Sequence, residues 1–169
     1  MAPSQFFDER REWSFWKHEI LRRYLPKFAG KIGSKFQLVY YVDGFAGAGN
    51  YGGSNPAPGS PLLAARLAAD IRRSGKWKYE LRCINTEPED EVFEDLTGAT
   101  TEFAAPAVLN LKGTFAQHLP RILEEIGASP TLFFLDPFGY RGIEMPTMTR
   151  TCRTVSKVQD RTADQFQCA

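Results

Sequence analysis

Cysteine and histidine are both scarce in this chain. Cys83, Cys152 and Cys168 are odd in number and far apart, which excludes a disulfide framework and leaves no CxxC pair for a metal; free or buried thiols are expected. His18 and His118 stand isolated, and no Ser/His/Asp or Cys/His arrangement is visible, which argues against a metal or covalent-nucleophile mechanism. No apolar run approaches the roughly 20 residues that cross a bilayer, and the N-terminus MAPSQFFDERREW has no apolar centre of a secretory signal. A protein without membrane contact, located in the cytoplasm, is the expectation. Net charge is also nearly absent, at +1, so the molecule has no overall field to gather nucleic acid. Locally the balance differs: residues 1–35 hold eight Lys or Arg against four Asp or Glu, an excess that reads as a solvated face or a nucleic-acid contact.

What the chain does have is enough apolar matter for one core. With 169 residues, 43% apolar and 13% aromatic, it suits a single globular domain. The most informative stretch is residues 39–53, VYYVDGFAGAGNYGG, where a short apolar run ends on Asp43 and breaks into a loop holding Gly44, Gly47, Gly49, Gly52 and Gly53. Glycine tolerates positive φ and lets a ligand approach main-chain N–H groups, while an acid at a strand end accepts hydrogen bonds. The pattern points to a nucleotide-like cofactor; an ordinary turn after a strand is the plain alternative.

Apolar spacing predicts a helix over residues 8–25, with Trp13, Trp16, Ile20, Leu21, Tyr24 and Leu25 on one face, Asp8 as N-cap and Pro26 marking the end. Residues 36–43 read as the first strand. Gly59-Ser60-Pro61 supplies an N-cap serine and a first-turn proline to a helix carrying Leu62, Leu63, Leu67 and Ile71. A second strand is expected at 79–87, ending on Glu87, followed by helix at 88–97, strand at 105–113 and a helix at 115–127 interrupted by Pro120. Residues 131–140 form a continuous apolar run closing on Asp136-Pro137-Phe138-Gly139, as expected of a central parallel strand covered on both faces. From Thr147 onward the sequence turns polar and aperiodic, and a disordered tail is expected there.

Three acidic strand ends, Asp43, Glu87 and Asp136, are thus expected at the carboxyl edge of one parallel sheet, where such folds bind ligands. Glu87 follows Asp43 by far more than the roughly 20 positions that separate a dinucleotide loop from its ribose-binding acid. No GxGxxG opens the helix, so a nicotinamide oxidoreductase is disfavoured. Adenosine on another cofactor fits better.

DGFAGAG at 43–49 resembles the F-x-G-x-G cofactor loop of S-adenosylmethionine (SAM) methyltransferases, and DPFG at 136–139 resembles the (D/N)PP(Y/F) motif of amino-methylating nucleic-acid enzymes. Closer still, Trp13/Trp16/Lys17, YVDGFAGAGNY at 41–51, GSPL at 59–62, Glu87 and LDPFG at 135–139 are together similar to the bacterial three-Cys-motif partner family, over roughly residues 13–140.

The resemblance implies a Rossmann-like methyltransferase sheet in a three-layer αβα arrangement. On this reading residues 1–35 are an amphipathic helix packed on the core, residues 36–146 a partial methyltransferase-like domain stopping after the fourth strand, and residues 147–169 the tail. It implies SAM as cofactor, with Lys17, Asp43, Gly44, Phe45, Ala46, Gly47, Gly49 and Glu87 around it. Asp43 would hold the ammonium, Glu87 the ribose hydroxyls, Lys17 the carboxylate or the loop, and the amides of Ala46 to Gly49 the methionine part. Asp136, Pro137 and Phe138 would carry catalysis, Asp136 orienting a nucleophilic amine and Phe138 stacking on a planar substrate. Nucleic acid is the implied substrate and a three-Cys-motif protein the implied partner. Asp-Pro-Phe-Gly lacks the second proline of the amino-methylating motif, so a non-catalytic partner or scaffold is the competing expectation.

Overall fold

The computed structural model describes residues 3–51, 57–103 and 106–136, with side chains from residue 16 onward except at Tyr51. Helix α1 spans Pro3–Gly33 and strand β1 Leu38–Asp43. The two-residue strands β2 (Asn50–Tyr51) and β3 (Ala57–Pro58) pair antiparallel, and α2 (Ser60–Ser74), β4 (Glu80–Glu87), α3 (Asp90–Thr100), β5 (Val108–Lys112), α4 (Phe115–Ile126) and β6 (Thr131–Phe134) follow.

Four strands form one parallel sheet in the order β5-β4-β1-β6. From β1 the chain steps outward to β4 and β5, then returns across β1 to lay down β6 on the other side. The reversal puts a topological switch point between β1 and β6, the place where open α/β sheets leave a crevice beyond their carboxyl ends.

Alternation along the strands divides two apolar layers. Val39 and Tyr41 of β1 with Leu81 and Cys83 of β4 face α1 and α2, which contribute Leu21, Leu25, Ala29, Ala64, Ala65, Ala68 and Ile71. Tyr40, Val42, Ile84 and Leu111 face the opposite way, onto Phe115, Leu119, Ile122 and Ile126 of α4. The molecule is therefore α/β with helices on both faces of the parallel sheet. Of the residues expected on the inner face of α2, Leu62 and Ile71 are buried, joined by Ala64, Ala65 and Ala68, whose small side chains let that helix sit close to the sheet.

Several expected boundaries move. α1 does not stop at Pro26 but runs on to Gly33. Pro26 is exposed, where the carbonyl it leaves unbonded can be hydrated, while Leu25 and Ala29 on either side of it are buried and hold the helix on the sheet. α4 likewise continues through Pro120, which also faces outward. It begins with a reciprocal cap between Thr114 and Gln117. The N-cap of α2 is Gly59, not Ser60, which lies inside the first turn and is buried.

The apolar face expected for α1 also splits. Leu21 and Leu25 are buried, but Trp16, Ile20 and Tyr24 are 58%, 66% and 52% exposed. The arc of apolar residues is wider than the surface the sheet offers it, so the members farthest from Leu21 and Leu25 face outward. β6 is shorter than the apolar run that predicted it. Leu132 and Phe134 pack with one layer and Phe133 with the other, so both faces are covered. Laterally, β6 is an edge of the sheet among the described residues rather than a central strand. Residues 137–146 and the tail from Thr147 lie outside the described residues.

Candidate ligand site at the carboxyl edge

Register fixes where the three acids stand. Asp43 is level with Asn85 of β4 and with Phe134 of β6. Glu87 and Asp136 each follow those partners by two residues, so all three acids sit at the carboxyl edge of adjacent strands, the switch point between β1 and β6 included. Pro137 and Phe138, singled out with Asp136, lie outside the described residues.

The loop after β1 is sewn to this edge through its own amides. Gly44 N–H donates to Phe134 O at 3.1 Å and Ala46 N–H to Thr86 O at 3.1 Å. Phe45 N–H donates to Asp43 Oδ1 at 3.1 Å and Gly47 N–H to Glu87 Oε2 at 3.0 Å. These four successive amides are spent within the chain, so those of Ala46 and Gly47 do not present open donors to a ligand. A Cβ on Gly44 would stand 2.6 Å from Leu135 Cδ2 and 3.2 Å from the Phe115 ring, so any other residue there would make those side chains shift. Gly47 and Gly49 hold φ of 62° and 83°, conformations that favour glycine. Around Gly47 a Cβ would meet nothing within 4 Å among the described residues. The Gly49 carbonyl accepts from Gly59 N–H at 2.8 Å, tying the loop to the start of α2.

Asp43 is fully buried. Besides the Phe45 amide, its carboxylate accepts from Tyr41 Oη at 3.1 Å and from the Ser60 hydroxyl. Burial raises its pKa to about 6, against the lowering effect of those three donors. Its field works outward too: burial and Asp43 together push the Tyr41 phenol and the Cys83 thiol up, leaving Cys83 protonated and unreactive near neutrality. Ser60, read from the sequence as a cap, is in place a donor to the strand-end acid.

Glu87 is nearly buried at 7% exposure, and its two oxygens accept separately: Oε2 from Gly47 N–H, Oε1 from Glu89 N–H at 3.0 Å. A carboxylate has about four lone-pair sites, so two remain for another donor. Beneath it, Thr86 Oγ1 donates to Gly44 O at 2.8 Å. Asn85 Nδ2 donates to Asn110 Oδ1 at 2.8 Å, and Asn110 Nδ2 donates to Thr100 Oγ1 at 2.8 Å, a partly buried relay locking β4, β5 and α3. Asn85 Oδ1 is the buried side-chain atom without a hydrogen-bond partner among the described residues.

Asp136 differs in kind. It forms an ion pair with Lys17 of α1, and both side chains are 31% exposed. His18, next along α1, feels both charges. Burial lowers its pKa, Asp136 opposes that and Lys17 reinforces it, so the neutral imidazole prevails at neutral pH. The sequence reading had left His18 isolated. Nothing along the chain signals that α1 brings it beside Asp136, because the two are joined only by packing. Tyr41 was not singled out from the sequence either, although the two-residue period of a strand, which puts it on the face of Asp43, is a signal that could have found it.

The arrangement offers an acid-rich edge with one lysine, suited to a ligand carrying positive charge and hydroxyl groups. Among the described residues, no cluster of three His, Cys, Asp or Glu is placed to hold a metal ion, and no helix is long and apolar enough to cross a membrane. Comparison with models of known protein families and with curated proteins finds no match for this chain.

Proposed function

We propose that this chain is a three-Cys-motif partner protein with a SAM-dependent methyltransferase-like site, acting on an amino group of nucleic acid. One observation carries the reading: Asp43, Glu87 and Asp136 stand at or just beyond the carboxyl ends of three adjacent parallel strands, beside the switch point and around a loop held by Gly44 and Gly47. SAM fits the residues present. It is cationic at sulfur and at its ammonium, which suits an edge of three acids. Its ribose diol matches the two unused acceptor sites of Glu87. Among the described residues, the space over Gly47 leaves room beside them.

Bound, SAM supplies an electrophilic methyl group. Glu87 accepts from the ribose hydroxyls while keeping its bonds to the Gly47 and Glu89 amides. Lys17 meets the cofactor carboxylate. Asp43 is enclosed, so it acts as a positioning residue: it orders Phe45 and Ser60 and so the loop. Asp136 accepts from the attacking amine and orients its lone pair, a positioning effect rather than a covalent one.

Isothermal titration of SAM into the whole chain tests this. Saturable heat that is lost in Glu87→Ala is expected; no heat from the folded wild type overturns it. A second reading, a non-catalytic binding partner of a three-Cys-motif protein, draws on the internal engagement of the amides of Gly44, Phe45, Ala46 and Gly47. Stable co-purification with such a protein, together with no response to SAM, selects it.

A further inference from the structure

α1 carries more apolar surface than the core uses. Leu21, Leu25 and Ala29 fill its inner face, with Phe28 and Ile32 packed beside them. Trp16, Ile20 and Tyr24 recur at four-residue steps on the outside, each more than half exposed. At about 100° per residue, Lys27 falls between Trp16 and Ile20 in angle, Lys31 between Ile20 and Tyr24, and Arg23 just beyond Trp16. Two aromatic rings, one aliphatic side chain and three basic groups therefore share one narrow arc.

The charge along this arc is one-sided. Over residues 16–35 the acid is Glu19, and it is engaged by Arg22 and Arg23 at 2.8 and 2.6 Å. Lys27, Lys31 and Lys35 are exposed and make no ion pair among the described residues. A purely basic face would be ordinary solvated surface, and a purely apolar one would call for an apolar partner. Here apolar and basic side chains interleave in angle around the arc, spread over about 22 Å of helix from Trp16 to Lys31. The ligand complementary to that interleaving presents flat apolar faces and phosphates in turn.

We infer that the outer face of α1 binds single-stranded nucleic acid, bases against Trp16, Ile20 and Tyr24 and phosphates against Lys27, Lys31 and Arg23. A duplex hides its base faces and could use only the charges. The strip also has a direction. Its N-terminal end adjoins Lys17, whose ion pair with Asp136 marks the carboxyl edge, so a bound strand is led to that edge. This deepens the proposed function by naming how its substrate class would be held, yet it is measured without SAM, so the two can fail separately.

Fluorescence anisotropy of a labelled 12-nucleotide oligothymidine with the whole chain, at several salt concentrations, is the test. Expected are saturable binding, weaker binding of a matched duplex, and at least tenfold loss in Trp16→Ala/Tyr24→Ala, with circular dichroism confirming the fold. Tyr24 stacks on Phe28, with centroids 6.1 Å apart, so Trp16→Ala alone serves as the variant that leaves this contact untouched. Lys27→Gln/Lys31→Gln should flatten the slope of log K against log salt by about 1.4, roughly 0.7 for each phosphate contact. No binding at low salt, equal or tighter binding of duplex, or affinity unmoved by ring removal would overturn the inference. So would binding confined to vesicles of anionic phospholipid, or self-association of the chain abolished by the same ring variants.

Discussion

The two halves of the carboxyl edge are built differently. Where β1 meets β4, Asp43 and Glu87 are buried and bonded to the loop, to Tyr41, to Ser60 and to the start of α3. Where β1 meets β6, Asp136 is partly open to solvent and its recorded partner is a lysine from a distant helix. A buried carboxylate surrounded by donors shapes backbone; a half-exposed one paired to a flexible amine can exchange partners at little cost. One half therefore sets the form of the site, and the other is where an incoming group can compete.

The largest effect that would test this contrast is at Asp43. Asp43→Ala leaves the Tyr41 and Ser60 hydroxyls and the Phe45 amide without their acceptor, and should cost roughly 3–5 kcal/mol in urea unfolding. A loss under about 1 kcal/mol would mean that the closed half is not closed. Next is pH. Because the folded pKa of Asp43 is raised to about 6, the native state holds the proton more tightly than the unfolded chain. The stabilisation is complete below the unfolded value near 4 and is lost as pH rises through 6, roughly 2–3 kcal/mol across that window. Asp43→Asn should remove that particular slope from stability measured between pH 4 and 7.

Glu87→Gln comes third. The amide keeps one acceptor but turns a donor toward one of two backbone N–H groups, so about 1–2 kcal/mol should be lost, with weaker SAM binding on the proposed reading. Smallest is Asp136→Asn, at about 0–1 kcal/mol, because the Lys17 pair is partly solvated. If Asp136→Asn destabilised the chain more than Glu87→Gln, the division of the edge into a shaping half and an exchanging half would be reversed.

These sites differ in how far they could be read along the chain. The acids at 43, 87 and 136 were legible because strand-length runs of β-branched and aromatic residues stop at them, and parallel strands joined by helices bring such stops to one edge. Tyr41 was not singled out, although the strand period could have found it. Ser60 was visible but given a cap's role, since its pairing with Asp43 depends on how α2 docks over β1. His18 and the split of the α1 face were not legible. Helical spacing tells which residues share a face, not how much of that face the sheet can cover.

Pro26 and Pro120 make the same point from the other side. Proline opposes helix locally, but buried neighbours at three- or four-residue steps hold both helices across it, and only packing can weigh those two effects. By itself the sequence determined the α/β class, the strand ends and the glycine turn, because these rest on backbone conformation and periodicity within a few residues. Only the tertiary structure decided that Asp43 is enclosed, that Asp136 is shared with Lys17, and that Trp16, Ile20 and Tyr24 of α1 face outward. Burial and charge pairing depend on which distant segments meet, and no local pattern encodes that.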